Sequence, residues 1–152
     1  MAYQAIEPIQ LPPTSAVAAT YVITIADYGL SLVNDDYILV SIVCGATSGT
    51  LSASAGWSEL SEISVTNGPR VAHYLAKVAA GTVADLTVTL STGTGVWLGC
   101  LEQWRDVDTT TGTITTDFCE TPVTSQTTTV NVTTLASGAS TPSVNDCTIH
   151  YF

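Results

Sequence analysis

An antiparallel β-sandwich is the fold that this sequence predicts, and three observations predict it. Thr and Val are abundant while Glu, Lys and Gln are scarce, a balance that favours strands over helices. Apolar residues recur at period two or in short strand-length runs, and few recur at helical spacing. Turn residues punctuate the chain about every eight to twelve positions, which leaves no room for crossover helices.

The elements follow in order. Residues 1–17 carry Pro8, Pro12 and Pro13 and read as an extended N-terminal arm. The first strand runs from about Ala18 to Ile25, with Tyr21, Ile23 and Ile25 on one side. A turn at Asp27 to Gly29 comes next, and Asn34-Asp35-Asp36 launches Tyr37 to Cys44, whose apolar residues fall on both faces and mark the centre of the core. Gly45 to Gly56 is small and hydroxylated, a connection with a short strand at Thr50 to Ala53. Alternation resumes at Trp57 to Val65. The Asn67-Gly68-Pro69 turn then feeds Arg70 to Val78, where Ala72, Tyr74, Ala76 and Val78 share a face.

The strand at Asp85 to Ser91 shows the cleanest alternation: Leu86, Val88 and Leu90 point one way and Asp85, Thr87, Thr89 and Ser91 the other. Gly93 and Gly95 turn the chain into Val96 to Trp104, apolar on both sides. Thr109 to Thr116 reads as a loop or edge, Thr127 to Val132 as a polar strand and Asp146 to Phe152 as the closing strand. The expected core includes Ile38, Val40, Ile42, Leu86, Val88, Leu90, Val96 and Leu98. There is no internal repeat, so the chain divides into an arm, 1–17, and one sandwich domain, 18–152.

Composition narrows the function. The 152 residues suffice for one domain with one core. Only 11% are charged, against about a quarter in an average domain, and Thr, Ser and Ala fill the deficit. Thirteen acidic residues face Arg70, Lys77 and Arg105, a net charge of −10, so nucleic-acid binding through a basic face is excluded. Mean hydropathy is +0.35, yet no apolar run approaches the roughly 20 residues of a membrane-spanning helix, and no membrane partner is expected. Met1 to Gln4 lacks the basic region of a secretory signal, and Glu7, Pro8, Pro12 and Pro13 break any apolar stretch after it, so synthesis and retention in a cytoplasm are expected.

Candidate chemistry is thin. Cys44, Cys100, Cys119 and Cys147 are widely spaced with no C-x-x-C pair and read as small buried hydrophobes; their disulfide state is left open. His73 and His150 lie in strands and read as hydrogen-bonded, partly buried histidines, His73 to a backbone carbonyl, rather than general bases. Asp35 with Asp36, and Asp106 with Asp108, resemble fragments of a calcium loop but lack its spaced run of ligands. Glu59 and Glu62 could pose as a glycosidase pair, although surface charge is the simpler reading. Trp57, Trp97 and Trp104 read as core or interface anchors before a sugar-stacking platform. The sequon Asn131-Val132-Thr133 matters only on a glycosylating route. No catalytic residue, metal ligand or cofactor is expected.

Four segments carry a resemblance. Asn34-Asp35-Asp36-Tyr37-Ile38-Leu39-Val40, Ala55-Gly56-Trp57-Ser58-Glu59-Leu60, Arg70 to Ala79 and Leu101 to Asp108 resemble, in this order, the signatures of small jelly-roll domains of bacteriophage virion proteins. Trp104 stands where that pattern has a tyrosine and Asp106 where it has a glycine. The resemblance spans about residue 20 to the C-terminus and implies an antiparallel jelly-roll β-sandwich with an extended N-terminal arm. It also implies a non-enzymatic virion structural protein, assembled in the host cytoplasm. A single domain with a short arm fits a capsid decoration, or cement, protein on the capsid surface: a homotrimer bound between capsomers of the major capsid protein. The alternative is a carbohydrate- or receptor-binding module of a tail or fibre, with a glycan as ligand. Tyr3, Ile6, Ile9 and Leu11, apolar residues outside the expected sandwich, are the candidate partner-binding residues.

Overall fold

A computed structural model describes residues 4–5, 8–64, 68–105 and 107. The expected strands at Thr127 to Val132 and Asp146 to Phe152, the loop at Thr109 to Thr116, and the residues Tyr3, Ile6, Asn67, Asp106, Asp108, Cys119, Asn131, Cys147 and His150 lie outside them.

The described residues form two antiparallel sheets packed face to face. Nine strands build them: β1 (Gln4–Ala5), β2 (Ile9–Leu11), β3 (Thr20–Ile23), β4 (Tyr37–Cys44), β5 (Leu51–Ala53), β6 (Ser58–Ser64), β7 (Arg70–Lys77), β8 (Leu86–Leu90) and β9 (Trp97–Arg105). The larger sheet runs β1-β9-β4-β7-β6 with β2 also on β9, and the smaller runs β3-β8-β5. Pairing is nested: β2 joins β9, β3 joins β8 and β4 joins β7, the wrapping of a jelly roll. The innermost pair breaks the pattern. β6 turns back on β7 instead of lying along β5, with a register shift between Glu59 and Ser61. The Glu62 carboxylate reaches across and accepts the Leu51 amide at 3.2 Å, replacing one ladder bond.

Alternation decides the core. Ile38, Val40, Ile42 and Cys44 of β4, Ala72, Tyr74 and Ala76 of β7, and Trp97 and Leu101 of β9 face inward, opposite Tyr21, Ile23, Leu51, Leu86, Val88 and Leu90 of the smaller sheet. Trp97 stacks on Tyr21 with ring centroids 6.0 Å apart, and its Nε1 donates to the Ala18 carbonyl at 2.9 Å. Gly99 is required for the strands to close. A Cβ there would lie 2.5 Å from the Ser41 carbonyl oxygen and 3.3 Å from Leu11 Cδ1. The outer face of the smaller sheet carries Thr20, Ser52, Thr87 and Thr89, the hydroxyl coat that the alternation predicts.

Three expectations need correction. Val96 and Leu98 are 44% and 49% exposed, so they are not core; the inward positions of β9 belong to Trp97 and Leu101. The N-terminal segment is extended, but Ile9–Leu11 is a strand of the larger sheet, paired with Leu101, Cys100 and Gly99. Leu11 is fully buried and Ile9 packs against the same core, so neither is an apolar residue awaiting a partner. Ile25 leaves the first strand and begins a 3-10 turn, Ile25–Tyr28, closed by Gly29 in the left-handed region.

Candidate functional site

The candidate surface is the outer face of the larger sheet, where cross-strand register sorts side chains into four rows. The first is apolar: Leu98, Val43, Val71 and Ile63 from β9, β4, β7 and β6. The second is polar and crosses five strands as Gln10, Cys100, Ser41, His73 and Ser61. The third holds Glu102, Leu39, Leu75 and Ser58, and the fourth Trp104, Tyr37 and Lys77.

Rows three and four form a second core rather than a surface. Tyr37, Leu39, Leu75 and Trp104 are buried, with Leu60 and Val107 packed against them. Trp104 Nε1 donates to Glu102 Oε2 at 3.1 Å, which accommodates a carboxylate inside this cluster. Row one is open only at its β9 end, since Val43, Val71 and Ile63 are partly buried. Leu98 is half exposed, and Val96 and Val17, which flank it through the Ala18–Gly95 bridge, are 44% and 62% exposed. Among the described residues no carboxylate stands in that row.

The polar row holds a nucleophile-and-base geometry. His73 Nδ1 and Ser41 Oγ lie 2.9 Å apart, so a hydroxyl is one partner of His73. Burial pushes the His73 pKa down and favours the neutral imidazole. A hydroxyl beside a neutral imidazole is the arrangement of an activated nucleophile. Access is missing, because Ser41 and His73 are 9% and 8% exposed. Cys100, next in the row, is held as a thiol: burial and the Glu102 charge raise its pKa and outweigh the hydrogen bonds to Ser41.

The acidic candidates are bound by the chain's own cations. Asp36 is buried and accepts hydrogen bonds from the Val33 amide at 2.9 Å, Gln103 Nε2 at 2.6 Å, and Arg105 Nε and Nη2 at 2.9 Å each. Burial opposes its charge, but Arg105, Val33 and Gln103 together hold its pKa below the usual carboxylate value. Asp35 sits at φ 70°, a left-handed position that Asp tolerates, and meets Lys77 Nζ at 2.9 Å. These contacts make the turn a clasp between β4 and β9 rather than a calcium loop.

Glu59 and Glu62 lie on the inner side of β6, beside Arg70 and Tyr74 of β7. Glu62 is engaged with the Leu51 amide and lies 3.9 Å from Arg70 Nη1, so it is not poised over a glycosidic bond. Burial, and then the charge of Glu62, raise the Glu59 pKa. Burial and both glutamates raise the Tyr74 pKa, and its hydroxyl has no hydrogen-bond partner among the described residues. Trp57, Trp97 and Trp104 are all buried, so none offers its face to a sugar. Cys44 points into the core and Cys100 to the outer face, both as free thiols. Among the described residues no group of three or more His, Cys, Asp or Glu is gathered to hold a metal, and no helix is long and apolar enough to cross a membrane.

Sequence reasoning missed that β9 turns Val96 and Leu98 outward. The signal was present in the apolar residues on both sides of β9, but alternation alone does not say which side the second sheet covers. Comparisons with protein-family models, with curated proteins and with solved structures find no match to this chain.

Proposed function

We propose that this chain is a non-enzymatic structural protein of a bacteriophage virion, a capsid decoration protein that binds between capsomers and stabilises the head. The carrying observation is the set of exposed apolar side chains Leu98, Val96 and Val17 at one end of the larger sheet, beside the partly buried Val43, Val71 and Ile63. Exposed apolar side chains grouped on a chain that otherwise coats itself with hydroxyls mark an interaction site. The nested strand order adds support, because it agrees with the domain type that the four sequence segments resemble. The polar groups also favour a structural role, since Asp36, Glu62, Arg105 and His73 are occupied in holding strands together.

The glycan-binding alternative is less favoured, because sugar stacking needs exposed aromatic faces and the three tryptophans are buried. Immunolabelling of virions purified from the source tests the proposal. Label distributed over the head is the expected result; label confined to tail or fibres, with binding of this protein to a glycan array, overturns it.

A further inference from the structure

We infer that residues 108–152 dock across the outer face of the larger sheet and are the layer that covers its second core. Tyr37, Leu39, Leu75 and Trp104 are buried there, yet they project away from the smaller sheet, which shields only the opposite side of β4, β7 and β9. Among the described residues the apolar side chains packed on this cluster are Leu60, at the register shift of β6, and Val107. Ser41, His73 and Glu102 of the same face are buried as well. Burial thus extends into three rows, a patch of about 13 Å along the strands and about 14 Å from β9 to β6.

The strand order limits what can cover that patch. β9, β4 and β7 are interior strands of the order β1-β9-β4-β7-β6, so a strand added at either edge leaves their outer side bare; the cover has to cross the face. Residues 1–3, 6–7 and 65–67 are too short to do so, and 65–67 join β6 to β7 at the end of the sheet away from Trp104. Residues 108–152 have the length, and they start in the right place. β9 runs toward the Trp104 row and ends at Arg105, and Val107 already packs on the cluster. Ile114, Phe118, Val123, Val130 and Val132 supply apolar side chains for the contact. A second copy would bring its own net charge of −10 to this face, whereas a tethered segment arrives at high effective concentration. The sequence reading gave this segment the closing strands of the sandwich; docked here, it forms a third layer instead.

The test uses the full-length wild type, isotope-labelled, in solution NMR. Nuclear Overhauser contacts from the Leu39 and Leu75 methyls and the Trp104 indole to side chains within 108–152 are expected. A soluble nitroxide should broaden the Leu98 methyls, which are half exposed, and spare those of Leu39 and Leu75. An isotope-filtered spectrum of mixed labelled and unlabelled chains separates a chain's own segment from a neighbour's. The inference is overturned by contacts that reach only residues before 108, by Leu39 and Leu75 methyls that broaden as strongly as those of Leu98, or by contacts found only between chains. Virion labelling reads the proposed function independently, so either reading can fail while the other stands.

Discussion

Replacing Asp36 with alanine removes the acceptor on which the β4–β9 clasp depends. Four hydrogen bonds end on this carboxylate. Two of the donor groups have a second acceptor, since Gln103 Nε2 and Arg105 Nη2 also reach the Ser31 carbonyl at 2.9 and 2.8 Å. The Val33 amide and Arg105 Nε would lose the partner described for them. An orphaned donor costs about 1 to 3 kcal/mol, and removing one member of a buried ion pair costs about 3 to 5 kcal/mol. The Arg105 side chain is 32% exposed, so water recovers part of that loss, and we expect about 3 kcal/mol. For a chain of this size that corresponds to a fall in Tm of roughly 6 to 12 °C. Urea unfolding followed by tryptophan fluorescence measures it. Arg105→Leu and the double variant close a cycle whose coupling should exceed about 1 kcal/mol. A loss below about 1 kcal/mol for Asp36→Ala, or additive single losses, would refute the clasp.

The remaining predictions concern packing and pH. Leu86→Ala should cost about 2 to 5 kcal/mol because Leu86 is fully buried, while Leu98→Ala should stay below about 1 kcal/mol; equal losses in urea melts would mean that the faces of β8 or β9 are misassigned. Gly99→Ala should destabilise by several kcal/mol, about as much as a large core truncation, since its Cβ would press on backbone rather than a movable side chain; a wild-type Tm would show that the strands can part there. Stability should fall in acid in two stages. The pKa values of His73 and Asp36 are both lowered in the folded chain, so each contributes stability above its unfolded value, near 6.5 and 3.8, that is lost as pH drops through its folded value. His73→Gln should flatten the first stage, and an unchanged pH profile in that variant would contradict the assignment.

Much of the sandwich was legible because alternation and turn chemistry agree. β4 has the bounds that its apolar run suggested, and the inward residues of β8 are the three that alternate with hydroxyls. Where both sides of a strand are apolar, the pattern is silent on direction. β9 shows this: Trp97 takes the inward place because its ring finds Tyr21 and its nitrogen finds the Ala18 carbonyl, which turns Val96 and Leu98 outward. Prolines misled the reading of the N-terminus. Pro8 and Pro12 flank Ile9–Leu11, and prolines at strand ends leave the amides between them able to pair. The Asp36 clasp was not legible, because its partners Gln103 and Arg105 lie nearly seventy residues away and only the fold joins them.

In the proposed function, this domain strengthens a capsid by binding it. The most direct measurement is the temperature at which purified phage heads, stripped of this protein, release their contents before and after the recombinant chain is added back. Saturating addition should raise that temperature, because a ligand bound only by the intact head stabilises it by mass action. An unchanged release temperature at concentrations where the protein is folded and in excess would contradict the proposed role.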